Sequence, residues 1–364
     1  MINKLLFLIL LLPFTAFSQL SFNNTDTLIP ELAVSGRSMA LGNAFTARTD
    51  DSISAFYNPA GLGTVRKFQL RLSELYFDND ADYLSMATAG DFWQSLFGAL
   101  SIDGTRQLLL ENPGNLAYSR FNFMPNIVTR YFSVGFLYSQ QSYMTIAPLN
   151  GTSTYEYIYR QDQAPYLAFN VSLLGGVIKL GLTGFYLYRK ELNGQSPPNQ
   201  TITIEDSDFN KGQGYFGIAG FKFTFPTDWL PTLSATYQNI VGTKFDNFGA
   251  APVTSIPSNL TVGFSISPQI GQLRRLHFEA NYVDALNENK NVSDIDRVEL
   301  GLEYDYNRSG FIRIGWLDGY ISGGIGYTGD HLTINLSTYG VQATPSPGDV
   351  VQDRRYVLSM SYGI

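Results

Sequence analysis

The chain of 364 residues contains no cysteine, which excludes disulfides, thiolate metal sites and cysteine nucleophiles together. Histidine is almost as scarce, since His277 and His331 are the only two. A serine hydrolase needs a base and an orienting polar group beside its nucleophile. No Gly-x-Ser-x-Gly elbow and no metal-spaced histidine pair accompanies these two residues. Asp78-Asn79-Asp80 lacks the glycine and glutamate of a calcium loop. The expectation is therefore no enzyme, no cofactor and no bound metal. Charge is sparse as well: Asp, Glu, Lys and Arg make up 15% of the chain, against about a quarter in soluble domains. The net charge of −7 argues against nucleic acid as a partner, because phosphate binding is driven by Lys and Arg. Beyond the N-terminus no run of ~18 apolar residues occurs, so no transmembrane helix is expected.

What is present begins with a leader. Lys4 supplies a positive start, Leu5 to Leu12 an apolar run, and Ala16-Phe17-Ser18 before Gln19 a small-x-small cleavage site. Residues 1–18 read as a signal peptide, too short in its apolar part to be an anchor. The absence of cysteine fits an oxidising envelope compartment.

The remainder is rich in Tyr (23), Phe (26) and Gly (34) at a mean hydropathy of −0.05. From about Phe68 onward, segments alternate in polarity over roughly ten residues, the length of a tilted membrane-crossing strand. In Arg297–Asn307, Val298, Leu300, Leu302, Tyr304 and Tyr306 share one face, while Glu299, Glu303 and Asp305 share the other. Side chains two apart on a strand point the same way, so the strand has one apolar and one charged surface. His331–Tyr339, Asn259–Ser267 and Leu276–Tyr282 repeat the pattern, and both histidines fall on the polar face. Asn307-Arg308-Ser309-Gly310 and Asp318-Gly319 mark tight hairpins. Longer polar connections are expected at Asn193–Asn210, Gly242–Pro257 and Gly340–Asp353. Tyr83–Leu110 fits alternation less well, and within it Asp91–Leu100 has apolar residues near helical spacing, which favours a helical element, in the lumen or at the interface, over a poorly patterned strand. A soluble β-sandwich also alternates, but the outward aromatics and the leader favour a barrel. The expected fold is all-β: a transmembrane antiparallel β-barrel of about 12–14 strands over residues 67–364.

Ser35 to Leu62 does not look like a barrel strand. Gly36, Gly42, Gly61 and Gly63 permit close backbone approach. Asn58 before Pro59 ends any preceding helix, and Ala40, Ala44, Ala47 and Ala55 are small enough to pack on barrel walls. Asp50 and Asp51, if buried, need partners. Arg37 and Arg48 lie in the same segment, and Arg297 or Arg313 on the barrel could also serve. The sequence Ser35-Gly36…Leu41-Gly42…Ala44-Phe45, the pair Asp50-Asp51 and Phe56-Tyr57-Asn58-Pro59-Ala60-Gly61-Leu62 resemble, in order and spacing, the N-terminal motif of FadL-type outer-membrane transporters.

That resemblance implies a small helical hatch, residues 19–66, plugging the barrel lumen. It implies passive uptake of hydrophobic compounds such as long-chain fatty acids across a bacterial outer membrane. Phe45, Phe56 and Tyr57 become candidate ligand-facing residues, and Gly36, Gly42, Asp50, Asp51, Asn58, Pro59 and Ala60 the hatch motif. Whether that motif gates a ligand or only folds the hatch is open. His277, Glu299, Glu303 and Arg313 are candidate polar groups of the lumen, more readily explained as cross-strand pairs. The terminal strand, with Tyr356, Leu358, Met360, Tyr362 and Ile364 on one face, resembles the signal read by the barrel assembly machinery, although it ends in Ile rather than Phe or Trp. Val298–Glu303 and Phe311–Trp316 also resemble the related PorV/PorQ-type barrels, which act in protein secretion or surface attachment. The expected partners are thus outer-membrane lipids, a hydrophobic small molecule, the assembly machinery and, on the alternative reading, a secreted protein.

Overall fold

The computed structural model describes residues 23–24, 28–88, 101–149, 152–290, 292–346 and 349–364. The expected signal peptide and the Asp91–Leu100 segment lie outside the described residues. Fourteen antiparallel strands form the wall, and the last pairs with the first to close the ring. They are β1 (Gln69–Asp80), β2 (Leu116–Phe123, resumed at Asn126–Val128), β3 (Phe132–Leu149), β4 (Thr152–Leu173), β5 (Ile178–Ser196), β6 (Asn210–Thr224) and β7 (Thr232–Gln238). There follow β8 (Asn259–Ile266), β9 (Arg274–Tyr282), β10 (Val298–Tyr306), β11 (Gly310–Leu317), β12 (Tyr320–Thr328), β13 (Leu332–Ser346) and β14 (Asp349–Gly363). Two short strands, Asn23–Asn24 and Asp246–Phe248, pair with β13 and β6 at one rim.

Alternation decides which way the wall faces. On β10, Glu299 and Glu303 are 1% exposed, whereas Leu300 and Leu302 are 37% and 42% exposed. A water-soluble strand would reverse this, so the outer surface is built for lipid and the inner one for polar contacts. Ile312, Ile314, Ile321 and Ile325 continue the outward apolar belt across β11 and β12. The β10–β11 turn places Asn307 and Arg308 at φ 53° and 57°, and the β11–β12 turn places Asp318 and Gly319 at 51° and 83°. Two successive positive φ values match the right-handed twist of the flanking strands.

The two rims differ. One carries only short turns, such as 129–131, 174–177 and 307–309; the other carries the connections 81–115, 197–209, 239–258 and 283–297. The Gly340–Asp353 connection expected from composition is a correction: β13 and β14 run through it in register as far as Ala343 and Val351. Its polar residues leave the backbone N–H and C=O groups free to pair, so the ladder continues. His331 also departs from expectation, since it sits exposed in the turn before β13. Within Tyr83–Leu110 the described residues are helical on both flanks, as α3 (Ala81–Thr88) and α4 (Ile102–Glu111). Ser101 caps α4 by accepting from the Gly104 N–H at 3.0 Å. Tyr83, Met86, Ile102 and Leu109 pack on Met144, Ile146 and Tyr155 of the long β3–β4 hairpin. Among the described residues no helix is long and apolar enough to cross a membrane.

The wall is irregular on both sides of β1 and again between Ala343 and Ser346 of β13. Tyr362 pairs with Ser73 and Gly363 with Arg71, which leaves Leu72 bulged out of register. On the other side of β1, pairing jumps from Leu75–Phe123 to Arg71–Asn126, and Pro125 between them has no N–H to donate.

Residues 28–65 run through the interior. They include α1 (Gly36–Ala40), α2 (Ser54–Tyr57) and a 3-10 helix, Pro59–Thr64. Helix α1 packs on β11, β12 and β13, and the 3-10 helix packs on β4, β5 and β6. Those strands lie on opposite arcs of a fourteen-strand ring, so the segment spans its bore.

Candidate functional site

Ser35 starts α1 by a reciprocal cap in which its hydroxyl accepts from the Ser38 N–H and the Ser38 hydroxyl accepts from the Ser35 N–H, both at 3.1 Å. Gly36 faces the Ser359 and Asn335 side chains of the wall, with no room for a Cβ. The helix ends at Leu41, and Gly42 (φ 62°) reverses the chain against β11. A side chain there would land on the Trp316 backbone, so both the conformation and the contact require glycine. Asn43 then donates to Glu299 Oε1 at 2.6 Å and accepts from the Tyr57 hydroxyl at 2.6 Å. The Ala47 N–H donates to Glu279 Oε1 at 2.6 Å.

The charged centre joins this segment to the wall. Arg37 donates to both carboxylate oxygens of Glu303 (2.9 and 2.8 Å) and to Asp50 (2.7 Å), and lies 3.4 Å from Asp51. Glu303 also accepts from Arg313 at 2.7 Å, so one buried carboxylate bridges two guanidiniums. Arg48 pairs with Asp50 and donates to His277 Nδ1 at 3.1 Å. Arg37 and Arg48 thus serve the two aspartates. Arg297 does not, being held by Asp284 at 2.7 Å, and Arg313 is committed to Glu303.

The aspartates differ in consequence. Burial raises the Asp50 carboxyl, but Arg48 and Arg37 overcome that and hold it well below the usual range. Burial raises Asp51 too; Arg37 offsets this only in part and the neighbouring Asp50 adds to it, so Asp51 ends above the usual range. Geometry agrees, since Asp51 Oδ1 has no hydrogen-bond partner.

Asn58 caps the 3-10 helix by accepting from the Ala60 N–H at 3.0 Å, and it donates to Thr46 O (3.0 Å) and Phe221 O (3.2 Å). Pro59 follows at the first helical position, where a missing N–H costs nothing. Pro59 and Ala60 lie so close to Gly181 that the wall has no space for a side chain there. The three aromatic candidates separate: Tyr57 lines a cavity, Phe56 packs edge-on to Tyr166 (4.9 Å), and fully buried Phe45 packs on Tyr57 (5.7 Å).

A second anchor was not singled out in the sequence. Glu31 accepts from Arg160 at 2.5 Å and pairs with Arg189 at 2.8 Å, and Arg120 donates to the Glu31 and Pro30 carbonyls at 2.9 and 3.2 Å. Burial raises Glu31, yet Arg189 and Arg160 bring its carboxyl below the usual range. The available signal was charge two residues apart on one strand face, in Arg160/Asp162 and Arg189/Glu191.

Three cavities flank the inner segment. One of about 350 Å³ opens toward the long-connection rim, with Leu28, Ile29, Tyr57, Tyr143, Ile158 and Ile256 beside Arg120 and Arg160. Another, of about 210 Å³, lies between residues 33–37 and 50–53 and the wall, where Leu75, Met124, Leu137 and Met360 line it next to the β1–β2 irregularity. The third, of about 600 Å³, is the mouth at the short-turn rim.

No family model matches the chain, and no curated protein matches it. Solved structures do. The toluene transporter TodX of Pseudomonas putida superposes with a TM-score of 0.54 at 10% identity, over 92% of this chain and 99% of that one. The monoaromatic hydrocarbon channel CymD gives 0.53 at 12% identity, over 91% and 97%. A FadL homologue of Pseudomonas aeruginosa gives 0.46 at 13%, over 91% and 99%. The likeness to TodX and CymD is one of fold, a closed antiparallel β-barrel.

Proposed function

We propose that the protein is a passive outer-membrane channel for hydrophobic compounds, with residues 19–66 as a hatch across its bore. The observation that carries this reading is the pair of partly apolar cavities on either side of a segment tied to opposite arcs of the wall. The cavity at the long-connection rim, of about 350 Å³, is of the size that takes small ligands. Its apolar lining would capture a hydrocarbon tail, and Arg120, whose partners from residues 30–31 are neutral carbonyl oxygens, would suit a carboxylate head, which extends the reading to long-chain fatty acids. TodX and CymD, a toluene transporter and a monoaromatic hydrocarbon channel, support the broader class.

Release follows from chemistry. A hydrophobic molecule gains nothing by entering periplasmic water, whereas a sideways path returns it to the apolar phase. Leu72 and Pro125 interrupt the strand ladder beside the cavity of about 210 Å³, so the wall has fewer backbone bonds to break there. Movement would be down the concentration gradient.

The test is uptake of toluene and of oleate into proteoliposomes. Saturable uptake is expected, and Met124→Trp, which fills the wall-side cavity, should reduce it to the protein-free rate while the barrel still folds. Uptake by the wild-type protein no faster than through bare lipid overturns the channel reading. A stoichiometrically co-purifying exported protein, with no bound lipid, would point to secretion instead.

A further inference from the structure

The mouth at the short-turn rim carries positive charge that the ion-pair centre leaves unmatched. Seven Arg and Lys side chains line this cavity of about 600 Å³, against two carboxylates, Asp50 and Asp305. Asp50 is already held by Arg37 and Arg48. Asp305 accepts from the Arg308 backbone N–H at 2.7 Å and faces His277 at 3.9 Å. Among the described residues, Arg66, Lys67, Arg274, Arg275 and Arg308 form no ion pair, and all but half-buried Arg275 are exposed. Arg48, Arg66 and Arg308 all bear electrostatically on Arg275, so these cations share one field. The chain as a whole is at −7, which makes the concentration of positive charge here a local feature.

A cleft lined by one sign, with low-dielectric walls, focuses its field and raises the local concentration of counter-ions. Guanidinium groups bind carboxylate and phosphate oxygens two at a time. Leu273 and Phe311 line the same cavity and offer apolar surface beside the cations. Short turns mark the periplasmic end of such barrels.

We propose that this vestibule is an oxyanion site that holds the carboxylate head of an amphiphile, with its chain against Leu273 and Phe311, while the chain leaves sideways through the adjoining wall-side cavity, which shares Gln69 and Phe311 with the vestibule. The inference rests on the channel reading above. The same chemistry would accept the phosphate of a lipid headgroup, and the two sources can be separated.

The experiment is calorimetric titration of the intact, detergent-solubilised protein with octanoate and, separately, with inorganic phosphate. The comparison variant carries Arg66→Gln, Lys67→Gln and Arg274→Gln, three exposed positions, and its folding is checked by heat-dependent gel migration. At low salt, octanoate should bind the variant about fivefold more weakly than the wild type, and the difference should vanish near ~1 M salt, where the Debye length is ~3 Å. Competition between octanoate and phosphate supports a shared oxyanion site. Phosphate binding without octanoate binding overturns the cargo assignment in favour of a headgroup, and equal octanoate affinity in the two proteins overturns the site. Uptake of uncharged octanol by wild-type proteoliposomes judges the channel reading separately, because its failure would leave the binding result standing.

Discussion

Asp50 and Asp51 are adjacent in sequence and opposite in energetics. Asp50 sits between two guanidiniums, while Asp51 has one distant cation and an oxygen without a partner. Because the folded-state pKa of Asp50 is depressed, its contribution is present above its ordinary value of 3.8 and is lost as pH falls through the folded value. Asp51 is raised, so its ionisation costs stability at neutral pH and that cost disappears on acidification. Asp50→Asn should cost about 1–3 kcal/mol at pH 7, below the figure for a fully buried pair because the side chain is a quarter exposed. Asp51→Asn should cost nothing or stabilise, and should flatten the rise in stability as pH falls through the raised folded-state value toward the ordinary 3.8. Thermal unfolding in detergent, followed by tryptophan fluorescence across pH, checks both; equal losses for the two variants would contradict the assignment. That these aspartates needed arginines was legible from burial cost alone. Which one the arginines favoured depends on a fold that brings residue 303 beside residue 37, and local sequence holds no such information.

At the scale of the element, strands were legible wherever one face met lipid and the other met charge. Val298–Tyr306 satisfies that condition, residues 332–338 do so with uncharged polar groups in place of charge, and their faces could be assigned by alternation. Legibility failed where the physics changed. Residues 340–353, with two prolines, two glycines and few large apolar side chains, read as a loop, although the backbone ladder holds 340–343 and 351–353 as strand. The bulge at Leu72 leaves no mark in composition, because register is settled by pairing with two neighbours. Ile314 lies midway along β11, is 56% exposed, and has nothing but lipid to face. Ile314→Lys should therefore cost about 2–4 kcal/mol, the figure for a cation at the bilayer midplane. Urea titration of folding into lipid vesicles measures it, and a cost under about 1 kcal/mol would place Ile314 at the interface instead.

The whole molecule poses a question of bore. Eight strands close to a width that side chains can fill, and sixteen to eighteen leave an aqueous channel. Fourteen strands lie between, too wide for lumen side chains alone to fill, so something must occupy the interior or water will. Residues 28–65 occupy it, and their ties to the wall are hydrogen bonds and ion pairs to side chains that would otherwise be hydrated. The wall does not depend on them for its ladder, because none of residues 28–65 forms a strand paired with it. Glu303 keeps Arg313 when Arg37 is taken away. Removing Ser35–Leu62 should consequently leave a folded barrel and open a water-filled pore lined by Glu299, Glu303 and Arg313. Liposomes carrying the shortened protein should leak small sugars at a rate well above those carrying the full chain, while heat-dependent gel migration still reports a closed barrel. An unchanged leak from a folded barrel would mean that the segment does not seal the bore, and the hatch assignment would fall with it.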